Sequence, residues 1–275
     1  MRKTLLPVLL LLPFVAYAQG PECKHSQPRA LQLDLAGVKA VVFDIDANNL
    51  SVVASAGAQA GLSGKACASD AQYLDQLKLV QHKSGDKLYV VARREVSGGG
   101  FFVGRHYAYL TLNASLPEEV MVQLKVGSGD ASVTGASLLS ADVGSGDVHA
   151  SNIRGLVAAK VGSGDIVVDN SGSLHVISVG SGDFTASKVG GAVKVGNIGS
   201  GDFTLNGTKG DVEIGSVGSG DATISGVSGS VRVDSLGSGD IEIRDIRGDL
   251  SLQSRGSGSV KHSRIDGRVS VPSDD

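Results

Sequence analysis

The hydrophobic positions between residues 121 and 271 alternate with polar ones in short runs, and a glycine-rich turn recurs between pairs of runs. In the run "DIEI", Ile241 and Ile243 fall on one side of the chain and the two acidic residues fall on the other. A period of two indicates a β-strand with one buried face. A second such run follows a small turn, and one more apolar residue usually precedes the next glycine-rich turn. Each repeat is therefore predicted to hold two short strands and about six inward side chains.

The same alternation assigns equivalent positions in neighbouring repeats. The inward pairs predicted for the first strand include Phe203/Leu205, Ala222/Ile224 and Val260/His262. Those predicted for the second strand include Val212/Ile214, Val231/Val233, Leu250/Leu252 and Val269/Val271. The apolar residue before the turn is Val126, Val143, Val161, Val179, Ile198, Val217 or Leu236. The outward positions of the first strand are Ser132, His149, Val167, Thr185, Thr204, Thr223, Glu242 and Lys261.

The glycine-rich turn is a repeated tetrapeptide. G-S-G-D begins at Gly127, Gly144, Gly162, Gly180, Gly199, Gly218 and Gly237, and a decayed copy, "GSGS", begins at Gly256. Two strands per repeat fit either a solenoid with one coil per repeat or an antiparallel meander with one hairpin per repeat. Stacking in register explains why small residues recur at each place of the turn, which favours the solenoid. The predicted fold class is all-β, a single-stranded β-helix or solenoid of about eight coils of 17–19 residues with an irregular N-terminal β cap.

The tetrapeptide has a structural and a functional interpretation. Structurally, the glycines allow positive φ or close backbone approach at a corner, and the aspartate accepts a hydrogen bond from a backbone N–H two residues on, as in an Asx-turn. Functionally, aspartates stacked in one row repel each other, and a cation would relieve that repulsion. Calcium β-rolls use a different nonapeptide with two ligand loops per turn, which favours the structural interpretation here. The candidate metal ligands are Asp130, Asp147, Asp165, Asp183, Asp202, Asp221 and Asp240.

The segment before the repeats lacks the glycine corners but keeps strand-like runs. A short helix capped by Ser69 is predicted over residues 69–77, and a loop between strands over 96–104. An open solenoid end exposes strand edges, so residues 19–117 are predicted to form a cap region and residues 118–275 the solenoid. The predicted strand runs are 31–35, 41–45, 50–54, 77–81, 87–92 and 107–112.

The first residues have the layout of a secretory signal peptide. Two cations precede an apolar run and a small-x-small site that ends at Ala18, so residues 1–18 are predicted to be removed. Without Arg2 and Lys3, the 25 basic residues become 23 against 28 acidic ones, a net charge of −5. A mildly acidic chain without a basic block argues against nucleic acid or anionic membrane as partners. After the signal, no apolar stretch is long enough to span a membrane. The predicted location is periplasmic, extracellular or at the cell surface.

Two cysteines remain in the mature chain, Cys23 and Cys67. An exported protein meets an oxidising compartment, so an intramolecular disulfide is predicted, with two free buried thiols or an intermolecular bridge as the alternatives. Closing a loop of this length contributes roughly 4 kcal/mol in the chain-entropy model. Only His25 lies near either cysteine in sequence, which argues against a metal site.

None of the other motifs in the sequence indicates a catalytic site. The tripeptide Arg247-Gly248-Asp249 aligns with the second corner of neighbouring repeats, which favours a structural role over integrin binding. His149, His175 and His262 fall at different places in the repeat, and no G-x-S-x-G elbow is present. The outward first-strand positions hold one carboxylate and no aromatic platform, which argues against a polysaccharide-active β-helix enzyme. The chain is therefore predicted not to be an enzyme and to need no cofactor.

A β-rich leader followed by "VQLKVGSGDASVTG" and further G-S-G-D periods resembles the bacterial "putative adhesin" β-strand-repeat family, a domain of unknown function found in exported proteins. The similarity is strongest from Met121 to Val271. The resemblance implies a right-handed single-stranded β-helix with no established catalytic residues. The leading functional prediction is a non-enzymatic adhesin-like binding or scaffold protein that presents flat solenoid faces to an envelope or extracellular protein or glycan. A calcium-binding β-roll-like module is the first alternative, and a polysaccharide-active enzyme is the second.

Overall fold

The computed structural model describes residues 23–95 and 106–272. Within these residues the chain forms 22 strands and one 3-10 helix, Ala71–Gln76. The strands are β1 His25–Gln32, β2 Ala40–Asp46, β3 Asn49–Ser55, β4 Gly61–Ala68, β5 Leu77–Ser84, β6 Lys87–Arg94, β7 Ala108–Pro117, β8 Met121–Val126, β9 Ala131–Thr134, β10 Leu139–Val143, β11 Val148–Val161, β12 Ile166–Val179, β13 Phe184–Val189, β14 Val193–Ile198, β15 Phe203–Thr208, β16 Val212–Val217, β17 Ala222–Val227, β18 Val231–Leu236, β19 Ile241–Ile246, β20 Leu250–Arg255, β21 Val260–Ile265 and β22 Val269–Ser270.

The strands build two parallel sheets, one from each strand of the coil. Sheet 1 runs β7-β3-β9-β11-β12-β13-β15-β17-β19-β21. Sheet 2 runs β6-β2-β8-β10-β11-β12-β14-β16-β18-β20-β22. The long strands β11 and β12 turn a corner and contribute to both sheets. Because like strands of consecutive coils pair in parallel, the predicted solenoid of about eight coils is confirmed.

The core is a set of inward columns between the two sheets. Phe184 and Phe203 stack in neighbouring coils with ring centroids 5.9 Å apart, and both rings are fully buried, as their predicted inward positions require. Each of the coils between residues 127 and 236 buries six side chains, which agrees with the count predicted from the sequence. In one coil these are Phe203, Leu205, Thr208, Val212, Ile214 and Val217.

The last coil departs from the prediction of buried inward pairs. His262 is exposed, Val269 is 42% exposed, and Val260 and Val271 are only partly buried. Their positions follow the predicted alternation, but no later coil within the described residues covers the inner surface of this one. Burial at these positions requires a neighbour on both sides of the coil.

The N-terminal segment continues both sheets out of chain order. The coil formed by β2 and β3 lies between the β6–β7 pair and the β8–β9 pair, and it pairs in parallel with each. Asn48 is buried at the corner between β2 and β3, where its amide nitrogen donates to the carbonyl of Ala92 at 2.9 Å. Its amide oxygen accepts the N–H of Leu110 at 2.7 Å. One side chain therefore joins the end of β6 to the beginning of β7.

Three antiparallel strands and the 3-10 helix complete the capped end. Strand β4 pairs with β7, β1 pairs with β4, and β5 pairs with β6. The 3-10 helix replaces the predicted helix over 69–77, and its cap is Asp70, whose carboxylate accepts the N–H of Gln72 at 3.1 Å. The Ser69 cap was wrong, because the Ser69 hydroxyl instead accepts the N–H of Tyr107.

The disulfide Cys23–Cys67 is present and joins the beginning of β1 to β4. Cys67 is fully buried. The predicted signal peptide, residues 1–18, and the predicted loop, 96–104, lie outside the described residues and stay predictions. The division of the chain at residue 117 also stays a prediction. No helix among the described residues has the length and apolar character needed to cross a membrane.

Candidate binding surface

The G-S-G-D corner is a site of very close backbone stacking. A Cβ added to Gly201, the second glycine of its corner, would lie 1.8 Å from the carbonyl oxygen of Gly182 in the preceding coil. A Cβ added to the second glycine of any other repeat would lie equally close to a backbone carbonyl oxygen of the neighbouring coil. Close approach is thus the reason for glycine here, and positive φ is found in a different column. That column, with φ from +54° to +89°, consists of Gly135, Asn152, Asn170, Lys188, Gly207, Gly226, Asp245 and Arg264.

The corner aspartates form a hydrogen-bonded ladder between coils. The Oδ1 atom of Asp202 accepts the backbone N–H of Asp221 at 2.9 Å, and Asp202 itself donates its N–H to Asp183 at 3.0 Å. The predicted partner two residues on was wrong, since the donor lies one coil further along. Ser200 and Gly201 both donate to the carbonyl of Gly180, so the next N–H receives a carboxylate acceptor instead of a carbonyl.

The two ends of the ladder explain its sequence variants. Asn49 takes the place of an aspartate and accepts the N–H of Asp130 at 3.2 Å. At the other end, Asp240 accepts the N–H of Ser259 at 3.0 Å. Hydrogen bonds from the Ser259 side chain and backbone hold the pKa of Asp240 below its ordinary value. Ser259 belongs to the decayed copy "GSGS", where no further described coil needs an acceptor.

The seven candidate metal ligands all lie in this row, and all are exposed. From Asp147 onward, each uses one carboxylate oxygen to accept a backbone N–H of the next coil. Within residues 23–95 and 106–272, no three His, Cys, Asp or Glu side chains are grouped so that they could hold a metal ion. The contacts of the row therefore support its structural role at the corner.

The second corner contains a shorter ladder of the same kind. Asp249 accepts the backbone N–H of Arg268 at 2.8 Å and donates its own N–H to Ser230 at 3.1 Å. The bond from Arg268 lowers the pKa of Asp249. The tripeptide Arg247-Gly248-Asp249 thus lies in a coil corner, as predicted, and its carboxylate is already engaged.

The outer surface of sheet 1, called face 1 here, is flat and rich in neutral polar groups. Its first column extends the predicted outward positions toward the capped end, and the acidic and basic residues of this column lie at the C-terminal end. The first column is Asn113, Ser51, Ser132, His149, Val167, Thr185, Thr204, Thr223, Glu242 and Lys261. The second column is Ser115, Val53, Thr134, Ser151, Asp169, Ser187, Asn206, Ser225, Arg244 and Ser263.

Hydrogen bonds between coils hold several of these side chains in place. The Ser132 hydroxyl donates to the Ser51 hydroxyl at 3.1 Å, and the Thr134 and Ser151 hydroxyls lie 2.9 Å apart. Further along, the Ser225 hydroxyl donates to an amide oxygen of the preceding coil. Side chains fixed in this way lose less conformational entropy when a partner binds.

The outer surface of sheet 2, called face 2, has a different character. Charges of opposite sign alternate along its columns, and Lys125 pairs with Asp44 at 3.3 Å. In another column the order is Lys194, Glu213 and Arg232. Face 2 therefore carries charges of both signs along its columns, whereas the middle of face 1 offers mainly hydroxyl and amide groups, with one charged residue, Asp169, that is paired with Lys188 at 3.2 Å.

The structure does not bring the three histidines together. His149 lies on face 1, His175 lies in the part of β12 that belongs to sheet 2, and His262 lies in the last coil. An open apolar groove of about 670 Å³ lies beside Val53, which is 50% exposed. No pattern in the sequence predicted this groove. Strands β1, β3, β4 and β7 line it, with Leu31 and Leu62 among the apolar residues. The available signal was Val53 itself, an apolar residue at an outward position.

Comparison with known proteins supports the family predicted from the repeats. Residues 147–264 match the family described as "Putative auto-transporter adhesin, head GIN domain", which confirms the predicted resemblance. No curated protein matches the chain. A crystal structure of a "putative lipid binding protein" from Parabacteroides distasonis is similar, with a TM-score of 0.54 and 18% identity over 88% of this chain and 98% of that one. A "putative adhesin" from the same species has a TM-score of 0.52 and 10% identity over 87% and 97%. At identities this low, the structural similarity shows a shared fold.

Proposed function

We propose that this protein is a non-enzymatic, exported, adhesin-like binding or scaffold protein, and that face 1 contacts its protein or glycan partner. The family match and the adhesin description of a similar structure support the general class. The observation that carries the assignment of the surface is the long, mainly neutral face, with side chains already bonded to one another between coils.

The size and chemistry of face 1 suit a binding surface. Ten strands at about 4.8 Å, each contributing about 13 Å of length, make roughly 600 Å² of flat surface. A standard protein interface buries about 800 Å² on each partner, so face 1 and its rim are large enough. Hydroxyl and amide groups cost less to desolvate than charges do, and interface centres are depleted in charge.

A matched pair of variants tests this assignment. Thr204→Arg places a charge in the middle of face 1, and Glu213→Arg places the same residue at an outward position of face 2 in the same coil. Purified protein is immobilised, and retained components of an envelope extract and binding to a glycan array are measured. We expect Thr204→Arg to lose at least tenfold in binding and Glu213→Arg to keep it. Equal binding by both variants contradicts the choice of face 1, and no retained component in either assay contradicts the proposed function.

A second candidate function is the binding of an apolar ligand in the groove beside Val53. It is favoured by the groove itself and by the description of one similar structure as a lipid-binding protein. A fatty acid whose fluorophore is excited at longer wavelengths than tyrosine reports binding without background from the protein, since the chain contains no tryptophan. Val53→Glu is expected to abolish binding of this probe. Val80→Glu changes another exposed valine, outside the groove, and serves as the control.

A further inference from the structure

Among the residues that the structure describes, two strands at the capped end have one edge each without a strand partner. Strand β1 pairs there with β4 alone, and β5 pairs with β6 alone. Their free edges face each other across a slot of about 310 Å³, which is lined by Gln27, Arg29, Ala30, Asp75, Lys78 and Val80 among others. No backbone ladder joins β1 and β5 within the described residues. A free strand edge presents unpaired N–H and C=O groups and is a template for another strand.

Long side chains bridge the slot from one wall to the other. The contacts are Arg29 Nη2 to the carbonyl of Leu74 at 3.0 Å, Gln81 Nε2 to the carbonyl of Gln32 at 2.9 Å and Lys83 Nζ to the carbonyl of Ala36 at 3.0 Å. Residue numbers increase together on both walls, so β1 and β5 run in the same direction.

The bond from Gln81 sets an upper limit on the width of the slot. A glutamine amide reaches at most about 5 Å from its Cα, so the bond from Gln81 to Gln32 allows the two Cα atoms to lie no more than about 10 Å apart. Neighbouring strands lie about 4.8 Å apart, and a strand inserted between two others needs twice that distance, about 9.6 Å. An extended segment fits between β1 and β5 only at this limit, and it has to displace the Gln81 side chain before it pairs with either edge.

One polar atom at the slot lacks a partner. The Oε1 atom of Gln81 is buried and accepts no hydrogen bond, although the nitrogen of the same amide bridges to β1. A buried acceptor without a donor costs about 1–3 kcal/mol. Because this atom is buried, an incoming backbone N–H can supply the missing donor only after the Gln81 side chain has moved.

The walls also indicate the character of the partner. Strand β5, "LKLVQHKS", carries Lys78, His82 and Lys83 and no carboxylate, although Lys83 is already paired with Asp34 at 2.8 Å. Arg29 lies on the opposite wall. Asp75 is the acidic residue among those that line the slot. Val80 is 46% exposed and provides an apolar contact. This combination suits an extended strand that alternates apolar and acidic side chains.

We propose that the slot between β1 and β5 binds an extended acidic peptide segment of a partner protein by strand addition. Main-chain hydrogen bonds to the free edges hold the segment, Lys78 and Arg29 select its acidic side chains, and Val80 contacts its apolar ones. The slot lies at the capped end, so this inference goes beyond the role proposed for face 1.

The test uses the full chain and two synthetic probes, an octapeptide of alternating valine and glutamate and one of alternating valine and lysine. Binding is measured by calorimetry, and amide exchange is followed with and without peptide. We expect the glutamate peptide to bind at least tenfold more tightly than the lysine peptide. We also expect it to slow exchange at least tenfold among residues 27, 29, 30 and 77–80; Pro28 has no amide hydrogen to follow.

Variants make the result specific. Lys78→Glu changes an exposed position. It should weaken binding of the glutamate peptide at least tenfold and strengthen binding of the lysine peptide, while the melting midpoint of the protein stays unchanged. Lys194→Glu makes the same change on face 2 and should leave both affinities unchanged, as should Thr204→Arg on face 1. The proposal is overturned if neither peptide binds at millimolar concentration, if Lys78→Glu leaves the preference unchanged, or if the edge amides are not protected.

Discussion

Two buried hydroxyl groups in one inward column should respond in opposite ways to the same substitution. Ser171 and Thr208 are each 3% exposed, and they occupy equivalent positions two coils apart in a column that otherwise holds Ile153 and Val189. The Ser171 hydroxyl is buried without a hydrogen-bond partner. The Thr208 hydroxyl donates to the carbonyl of Gly191 at 2.5 Å. Valine fits the column, since its neighbours there are β-branched.

The magnitudes follow from these contacts. Ser171→Val removes an unsatisfied buried hydroxyl, which costs about 1–3 kcal/mol, and adds a buried carbon worth about 0.8 kcal/mol. We therefore expect the variant to be more stable by about 2–4 kcal/mol. Thr208→Val has nearly the same shape as the native residue but loses the bond to Gly191 and a weaker bond from Gly210 at 3.3 Å. Each is worth about 0.5–1.5 kcal/mol, so we expect a loss of about 1–3 kcal/mol.

Urea unfolding followed by circular dichroism measures both effects. The midpoint should rise for Ser171→Val and fall for Thr208→Val with an unchanged slope, because neither variant alters the surface exposed on unfolding. Ser171→Ala separates removal of the hydroxyl from filling of the space and should lie between the native protein and Ser171→Val. The reasoning is refuted if Ser171→Val destabilises the protein, or if both valine variants shift the midpoint in the same direction.

The remaining predictions concern the corners and the acid response. Gly201→Ala forces a Cβ against the preceding coil and should cost about 3 kcal/mol or more, whereas Gly61→Ala, which has open space around it, should be close to neutral in the same urea assay. Asp202→Ala removes the acceptor of a corner N–H and should lower Tm, while Asp202→Asn keeps an acceptor and should restore most of it; equal losses would contradict the ladder. The N–H of Arg268 lowers the pKa of Asp249 below 3.8, so the contribution of this carboxylate to stability is present above about pH 3.8 and is lost as pH falls through its folded-state pKa. Asp249→Asn should therefore flatten the stability profile below pH 3.8 in acid unfolding. Calcium and a chelator should give the same melting midpoint, because the ladder already engages the corner carboxylates; a higher midpoint with calcium would restore the cation hypothesis.

The repeats made most of the fold predictable. Alternation identified the inward residues of complete coils, such as Phe203 and Leu205, because a strand with one buried face has a period of two. The recurrence of G-S-G-D identified the corner, since the same backbone approach is required in every coil. The cysteine pairing followed from a count of two in a chain expected to be exported.

Features that depend on distant parts of the chain were not predictable from local patterns. Strand β4, "GLSGKACA", has no regular alternation and forms between two antiparallel partners. The insertion of β2–β3 between later strands leaves no local signal either. The Asp202 carboxylate offered an acceptor that any nearby N–H could use, and only the stacking of coils places the N–H of Asp221 within reach. Face 1 was predictable as a set of outward residues, but its bonded rows and the β1–β5 slot required the positions of neighbouring strands.

The order of the coils also determines how the rod should respond to mechanical load. From β8 to β22 each coil contacts only its two neighbours, so tension applied at the C-terminal end can peel strands away one coil after another, each at low force. The β2–β3 coil is paired on one side with β6–β7 and on the other with β8–β9, and both of these follow it in the chain. It can be extracted only after neighbours on both sides have released it. In a single-molecule pulling experiment the protein should therefore extend in many small steps first and resist longest at the capped end.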